Sequence, residues 1–299
     1  MNRNPAFATL AGLLVWTSAI QAQPAFTIKL KESGEGDAVF VKKSDSTVSK
    51  VTVADGDGKI LVDQRETKTE VLEYKETVLK RAADTSPTKR EREYTKVQSG
   101  KDDKTEDGAL QGKTVIIEKK ADQFLFTYKD GEAVAGAAKA ALMKSFSKKS
   151  DNNAELEKLV LPKKAVKVGD SWKIEMPLIV KEIGKDGAME LDGAKSTGQG
   201  TLVKAYKKDG RQFGEMKFKL EMPMTSVGEG KGQLKFTAGA KIVMDITLDA
   251  CIDGTSETGT MTMKMDMTGV ADFPQMAGAT ATLDVRMTGT QSQQEAPKK

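Results

Sequence analysis

Through the second half of the chain, apolar and polar residues alternate with a period of two. Met216, Phe218, Leu220, Met222 and Met224 share one parity, while Glu215, Lys217, Lys219 and Glu221 hold the other. The next run keeps Leu234, Phe236, Ala240, Ile242, Met244, Ile246, Leu248 and Ile252 in register, with Lys235, Lys241, Asp245 and Asp249 between them. Met261, Met263, Met265 and Met267 then alternate with Thr262, Lys264, Asp266 and Thr268. Last, Ala279, Ala281, Leu283, Val285 and Met287 alternate with Thr280, Thr282, Asp284 and Arg286. One apolar and one solvated face per segment predicts four half-buried antiparallel strands. A single strand from Leu234 to Ile252 would run roughly 65 Å at about 3.4 Å per residue. Strands that long coil, and Gly239 marks the place where a bend or bulge costs least.

Upstream, Trp172–Lys181 and Gly200–Lys207 read as two more strands, the second turning at Lys208-Asp209-Gly210. The first half is rich in strands as well: Thr47–Val53 and Lys59–Gln64 around a turn, Val71–Leu79, Thr114–Glu118 and Gln123–Tyr128. Residues 81–112 carry many charges and few apolar positions, which predicts loop or ragged strand tips. Between the halves, Ala133–Phe146 is alanine-rich, with Ala137, Ala138, Ala141, Leu142 and Phe146 in a narrow helical stripe. A second short helix is predicted from Asp151 or Asn152 to Leu159, stopped by Pro162. The order strands, helix, strands lacks the βαβ alternation of a parallel sheet. It predicts a mostly β (α+β) fold, a long, strongly curved antiparallel sheet or open half-barrel with one or two helices on its concave side.

The first 22 residues differ from the rest. Arg3 precedes an apolar run, Ala6–Val15, of the length of a secretory signal and too short to span a bilayer. We expect residues 1–22 to be a cleaved signal peptide and 23–299 a single β-rich domain. Within it, strands fill 23–130, a helical insert 133–160 and a long-strand sheet 165–291, with a disordered tail at 292–299. No cysteine follows the apolar run, so no lipid anchor is expected. The expected location is periplasmic or extracellular, without a membrane span. Few aromatic residues (5%) argue against the girdles of a transmembrane barrel.

Charge and rare residues narrow the chemistry. The 47 basic and 43 acidic residues leave only +4, too small a field to point to nucleic acid. A single cysteine excludes an intramolecular disulfide framework. The absence of histidine removes the commonest general base and zinc ligand. No phosphate-binding glycine motif or nucleophile–base set remains, so neither an enzyme nor a cofactor is expected.

Four constellations invite a site and read more simply otherwise. "ADGDGKILV" (54–62) resembles part of an EF-hand loop, but Val53 and Gln64 stand where the first and last ligands belong. It reads as a β-turn. The methionines could suggest thioether ligation of Cu(I), yet their spacing on one strand face suits a core or cavity lining, and no metal site is expected. Cys251 has acidic neighbours, Asp249 and Asp253, which disfavour a thiolate nucleophile; a free thiol at or near the surface is expected. Asp245, Asp249 and Asp253 are about 13 Å apart in succession on a straight strand, too far to chelate one ion.

The most ordered phrase is Leu161-Pro162-x-x-x-Val166-x-Val168-Gly169-Asp170-Ser171-Trp172. It resembles a P-x-x-x-V-x-V-G-D-[ST]-W run found in uncharacterised families of exported bacterial proteins, where it leads into a long antiparallel strand. The resemblance implies architecture and export and no reaction. Physically, Pro162 ends a helix, Gly169-Asp170 turns with Asp170 capping backbone N–H groups, and Trp172 anchors the following strand. The expected function is a non-enzymatic exported binding or carrier protein that holds an apolar or lipid-like ligand. Met216, Phe218, Leu220, Met222, Met244, Ile246, Met263, Met265 and Leu283 are the expected lining. A structural or interaction protein of the cell envelope is the alternative.

Overall fold

A computed structural model describes residues 23–82, 87–121, 123–146, 158–184, 189–228, 233–237, 239–272 and 278–297. The expected leader and residues 151–157 of the expected second helix lie outside these. Among the described residues, fourteen strands form one antiparallel sheet. Three long strands open it: β1 (Ala38–Ala54), β2 (Ile60–Arg81) and β3 (Pro87–Lys101), with short β4 (Lys104–Asp107), β5 (Thr114–Lys120) and β6 (Gln123–Tyr128). Helix α1 (Gly136–Ser145) follows, then β7 (Ser171–Lys173), helix α2 (Met176–Ile183) and β8 (Met189–Leu191). The second half is β9 (Thr197–Lys208), β10 (Arg211–Val227), β11 (Leu234–Phe236), β12 (Lys241–Cys251), β13 (Gly259–Asp272) and β14 (Thr280–Glu295).

Across the sheet the order is β6-β5-β3-β2-β1-β14-β13-β12-β10-β9-β7, so two meanders meet where β1 pairs with β14. That ladder runs from Val39↔Glu295 to Ala54↔Thr280. The sheet is curved and open: β6 and β7 stand at its two edges.

Turn chemistry sets the hairpins. In the β1–β2 turn the Asp55 carboxylate accepts from the backbone N–H of Asp57 (3.1 Å) and Lys59 (2.9 Å), as a β-turn rather than a calcium loop. Asp209 and Gly210 have φ of 51° and 77°, the left-handed pair whose twist matches the flanking strands β9 and β10.

Several expectations need correction. The predicted strand Trp172–Lys181 is only three residues of strand followed by helix α2. Over so short an apolar run, period 2 and period 3.6 both fit. Pro177 decides it: it lacks the N–H a strand would use but suits a helix's first turn. Met176, Ile179 and Val180 then face inward and Leu178 is exposed. Residues 87–101, expected to be loop or ragged strand tips, form the long strand β3, because its charged side chains find partners on β2. The expected strand Leu234–Ile252 breaks into β11 and β12 around Gly239, whose φ of 95° other residues rarely adopt. Strand β14 continues past 291 through Glu295, held by β1 and by ion pairs to Lys31 and Arg211.

Both helices share one face of the sheet, and each covers one wing. Under α2 lies a cluster of Ile174, Met176, Ile179, Leu202, Met216, Phe218, Leu220 and Met222, with Phe26 and Ile28 from the preceding arm. Under α1 lies a second cluster: Tyr94, Val115, Ile117, Phe126, Ala138, Leu142 and Phe146. Helix α1 buries one narrow row, Ala138 and Leu142, while Ala137 and Ala141 are exposed. Met244, Ile246 and Leu248 of β12 and Met265 and Met267 of β13 pack against the α2 cluster, which includes buried Ile242, so the buried parts of the two cores stand roughly 20–25 Å apart along the sheet.

Candidate functional site

The floor between the two wings is the most distinctive surface of the molecule. Because strands β10, β12, β13, β14 and β1 pair without a bulge along this floor, side chains fall into straight cross-strand rows. One row reads Met216, Leu248, Met261, Gln291, Lys43. The next reads Phe218, Ile246, Met263, Gly289, Asp45, and the third Leu220, Met244, Met265, Met287, Thr47. A fourth reads Met222, Ile242, Met267, Val285, Ser49. Each row is buried under α2 at its β10 end and apolar through β12 and β13, half-buried there except at Ile242; on β14 it carries Gln291, Gly289, Met287 or Val285, and it is polar by β1.

The expected lining residues therefore divide in two. Met216, Phe218, Leu220 and Met222 are 0–5% exposed and belong to the core beneath α2. Met244, Ile246, Met263, Met265 and Leu283 are half-buried and lie on the floor. The floor also holds Leu248, Met261, Met267, Val285 and Met287. Helix α1 lies on the same face as α2 but on the far wing, against β6.

The structural phrase 161–172 forms a joint beside the α2 core. Pro162 follows the helical turn at 158–160. The Gly169 N–H donates to the Leu202 carbonyl (2.7 Å), and the Asp170 carboxylate accepts from the Lys167 N–H (2.8 Å). The Trp172 indole N–H donates to the Val160 carbonyl (2.7 Å), and its ring meets Phe218 edge-on at 6.1 Å.

Two charged clusters were not legible in the sequence. In the first, Arg92 lies between the rings of Tyr74 (4.1 Å) and Phe146 (4.7 Å) and donates to the Glu76 carboxylate through Nε (2.9 Å) and Nη2. Burial pushes the Glu76 carboxyl up, but Arg92 and Arg90 outweigh it and hold the group below the usual carboxylate range. The second cluster lines a cleft of about 900 Å³ at the end where β1 begins and β14 ends. There Lys31 Nζ meets Glu295 (2.9 Å) and Asp37 (3.1 Å), and Arg211 Nη1 meets Glu295 (3.0 Å). Glu257, with a side chain 4% exposed, accepts from Ser33 and from Gln293 (3.0 Å), while its Oε1 has no hydrogen-bond donor. Burial pushes the Glu257 carboxyl up. These contacts strap the segment 23–37 across the strand ends, and the mixed charges give the cleft no single preferred ligand.

Cys251 is buried, not superficial; its Sγ–H donates to Asp253 (3.1 Å). Asp253 also accepts from the N–H of Gln212 (2.7 Å) and of Thr255 (3.0 Å), which hold its carboxyl well below the usual range. Among the described residues no group of three or more Cys, Asp or Glu is placed to hold a metal ion, and no helix is long and apolar enough to cross a membrane.

No family model matches the chain, and no curated protein matches it by sequence. Among solved structures it is similar to lipovitellin, in a study of its lipid–protein interactions, at a TM-score of 0.37 and 8% identity. That match covers 90% of this chain and 26% of the lipovitellin chain, so this protein spans about a quarter of it. It is also similar to an outer membrane channel from Pseudomonas putida F1, at a TM-score of 0.23 and 7% identity, over 90% of this chain and 98% of that one. A monoaromatic hydrocarbon channel follows at a TM-score of 0.17 and 6% identity, over 87% and 91%. Likeness at these scores carries no functional weight, and the protein's own surface has to supply the reading.

Proposed function

We propose that this is an exported, non-enzymatic binding or carrier protein that holds an apolar or lipid-like ligand against its sheet. One observation carries the reading. The apolar floor of β12 to β14 lies between two helix-covered wings and is only half-buried, although the same rows are sealed at their β10 end. Contiguous apolar area left in contact with water costs free energy at about 25 cal/mol per Å² and marks a surface that an apolar partner would cover. Methionine suits such a surface, because its unbranched thioether adapts to ligands of irregular shape. The polar margin on β1, with Lys43, Asp45, Thr47 and Ser49 in the same rows, would face the hydrated end of an amphipathic ligand.

Native mass spectrometry of protein purified from its own host, together with titration of stripped protein with a fluorescent long-chain fatty acid, tests this. The expected result is a lipid-sized adduct and a saturable probe signal that Met263→Asp weakens. No adduct and no probe signal would favour an envelope protein without a small-molecule ligand.

A further inference from the structure

We propose that Met244, Met265 and Met287 form a binding site for a soft monovalent metal ion, Cu(I) or Ag(I). The register makes the case. Met265 on β13 lies directly opposite Met244 on β12 and directly opposite Met287 on β14. Opposed residues hold their Cβ atoms about 4.5–5.5 Å apart. The three rotatable bonds of each methionine then let its sulfur swing toward a common point.

No other β13 methionine is flanked in this way. Met261 faces Leu248 and Gln291, Met263 faces Ile246 and Gly289, and Met267 faces Ile242 and Val285. Along a single strand, residues on one face are about 7 Å apart. The spacing Met-x-Met-x-Met-x-Met therefore brings no three sulfurs together by itself; the trio arises only when three strands pair.

The surroundings suit the ion. All three side chains are half-buried, so a dissolved ion can reach them while apolar neighbours exclude most competing water. Leu220 and Thr47 close the row at its two ends and offer no carboxylate or imidazole. Thioether sulfur is a soft, uncharged ligand that favours Cu(I) and gives Zn²⁺, Mg²⁺ and Ca²⁺ little to bind. It carries no proton to displace, so binding would persist in mild acid, where thiolate and imidazole ligands are protonated.

Titration of the purified chain with Ag(I) in thiol-free, chloride-free buffer tests the proposal, with Cu(I) measured by anaerobic competition against a chromogenic chelator. The expected result is one ion per chain, a sulfur-only shell by X-ray absorption, and affinity weakened by about tenfold or more in Met265→Leu. The Cys251→Ser variant should bind as the parent does. Absence of binding, binding unchanged by Met265→Leu, or binding lost in Cys251→Ser would each overturn the proposal. Met287→Leu reports the same contrast from the neighbouring strand if Met265→Leu misfolds. The Ag(I) titration uses stripped protein without fatty acid, and the fatty-acid titration uses the metal-free parent chain. Loss of the metal site and loss of the carrier function are thereby separately visible.

Discussion

The Trp172 indole lies so close against Gly200 of β9 that a Cβ built there would stand 2.3 Å from Cε2. The contact explains a pairing that local sequence does not announce. Opposite Trp172 in the β7–β9 ladder, only a residue without a side chain lets the ring reach Phe218 and the α2 core. Gly200→Ala should therefore destabilise the fold by about 1–3 kcal/mol through overpacking. Trp172→Ala should cost about 3–5 kcal/mol, as large aromatics in cores do. Urea unfolding of both variants checks the pair, and a Trp172→Ala midpoint equal to the parent's would remove the tryptophan from the core.

Arg92 and Glu76 give a second test. Removing one partner of a buried ion pair leaves the other charge uncompensated and costs about 3–5 kcal/mol. Arg92→Met and Glu76→Leu should each show losses of that order, and the double variant should recover much of them. The pH dependence follows from the lowered Glu76 carboxyl. Its stabilising contribution is complete above the unfolded carboxylate range and is lost as pH falls through the lower, folded value. Acid unfolding of Glu76→Leu should thus be shallower than that of the parent.

Glu257 has the opposite sign. Burial raises its carboxyl, so the folded state binds the proton more tightly than the unfolded chain. Stability is then lost as pH rises from the unfolded value, about 4.3, through the folded one. Glu257→Gln should match the parent in acid and exceed it at neutral pH, because the amide keeps the contacts to Ser33 and Gln293 without a buried charge. Thermal midpoints measured across pH 4 to 8 check this; a variant less stable than the parent at neutral pH would show that the Lys31 attraction outweighs burial.

Tyr206 supplies a spectroscopic marker for the β9–β10 hairpin. Its hydroxyl donates to Asp249 (2.7 Å), and burial together with that carboxylate pushes its pKa up to about 12. Burial raises Tyr74 and Tyr94 as well, so spectrophotometric titration should find a tyrosine ionising near that value in the parent and not in Tyr206→Phe. Asp249→Asn should bring it back toward 10, the ordinary value for tyrosine. Between those two values stability falls as pH rises, because the unfolded phenol loses its proton first.

The sheet was readable wherever one face is apolar and the other charged, as on β10, β12, β13 and β14. It was unreadable on β3, whose inward Arg90 and Arg92 look like loop residues until Glu76 of another strand stands opposite them. Helix α2 reads as strand in the sequence because Met176, Leu178 and Val180 satisfy a period of two as well as Met176, Ile179 and Val180 satisfy a helix. The methionine face was legible as a face. The division between buried Met216 and half-buried Met263 was not, because it depends on where α2 lands. Nor was the row Met244, Met265, Met287, since register belongs to pairs of strands and not to either one.

The ladder between β1 and β14 has a consequence in time. Residues about 240 positions apart along the sequence must find each other before the two meanders become one sheet. Contacts of such separation close large loops before any reward arrives, which makes folding slow. Until β14 docks, β1 and β13 each present an open edge, the form in which strands pair with the wrong chain. Deletion of β14 should therefore leave two unjoined half-sheets with sticky rims, and the parent's refolding rate should be limited by closure of this one long-range ladder.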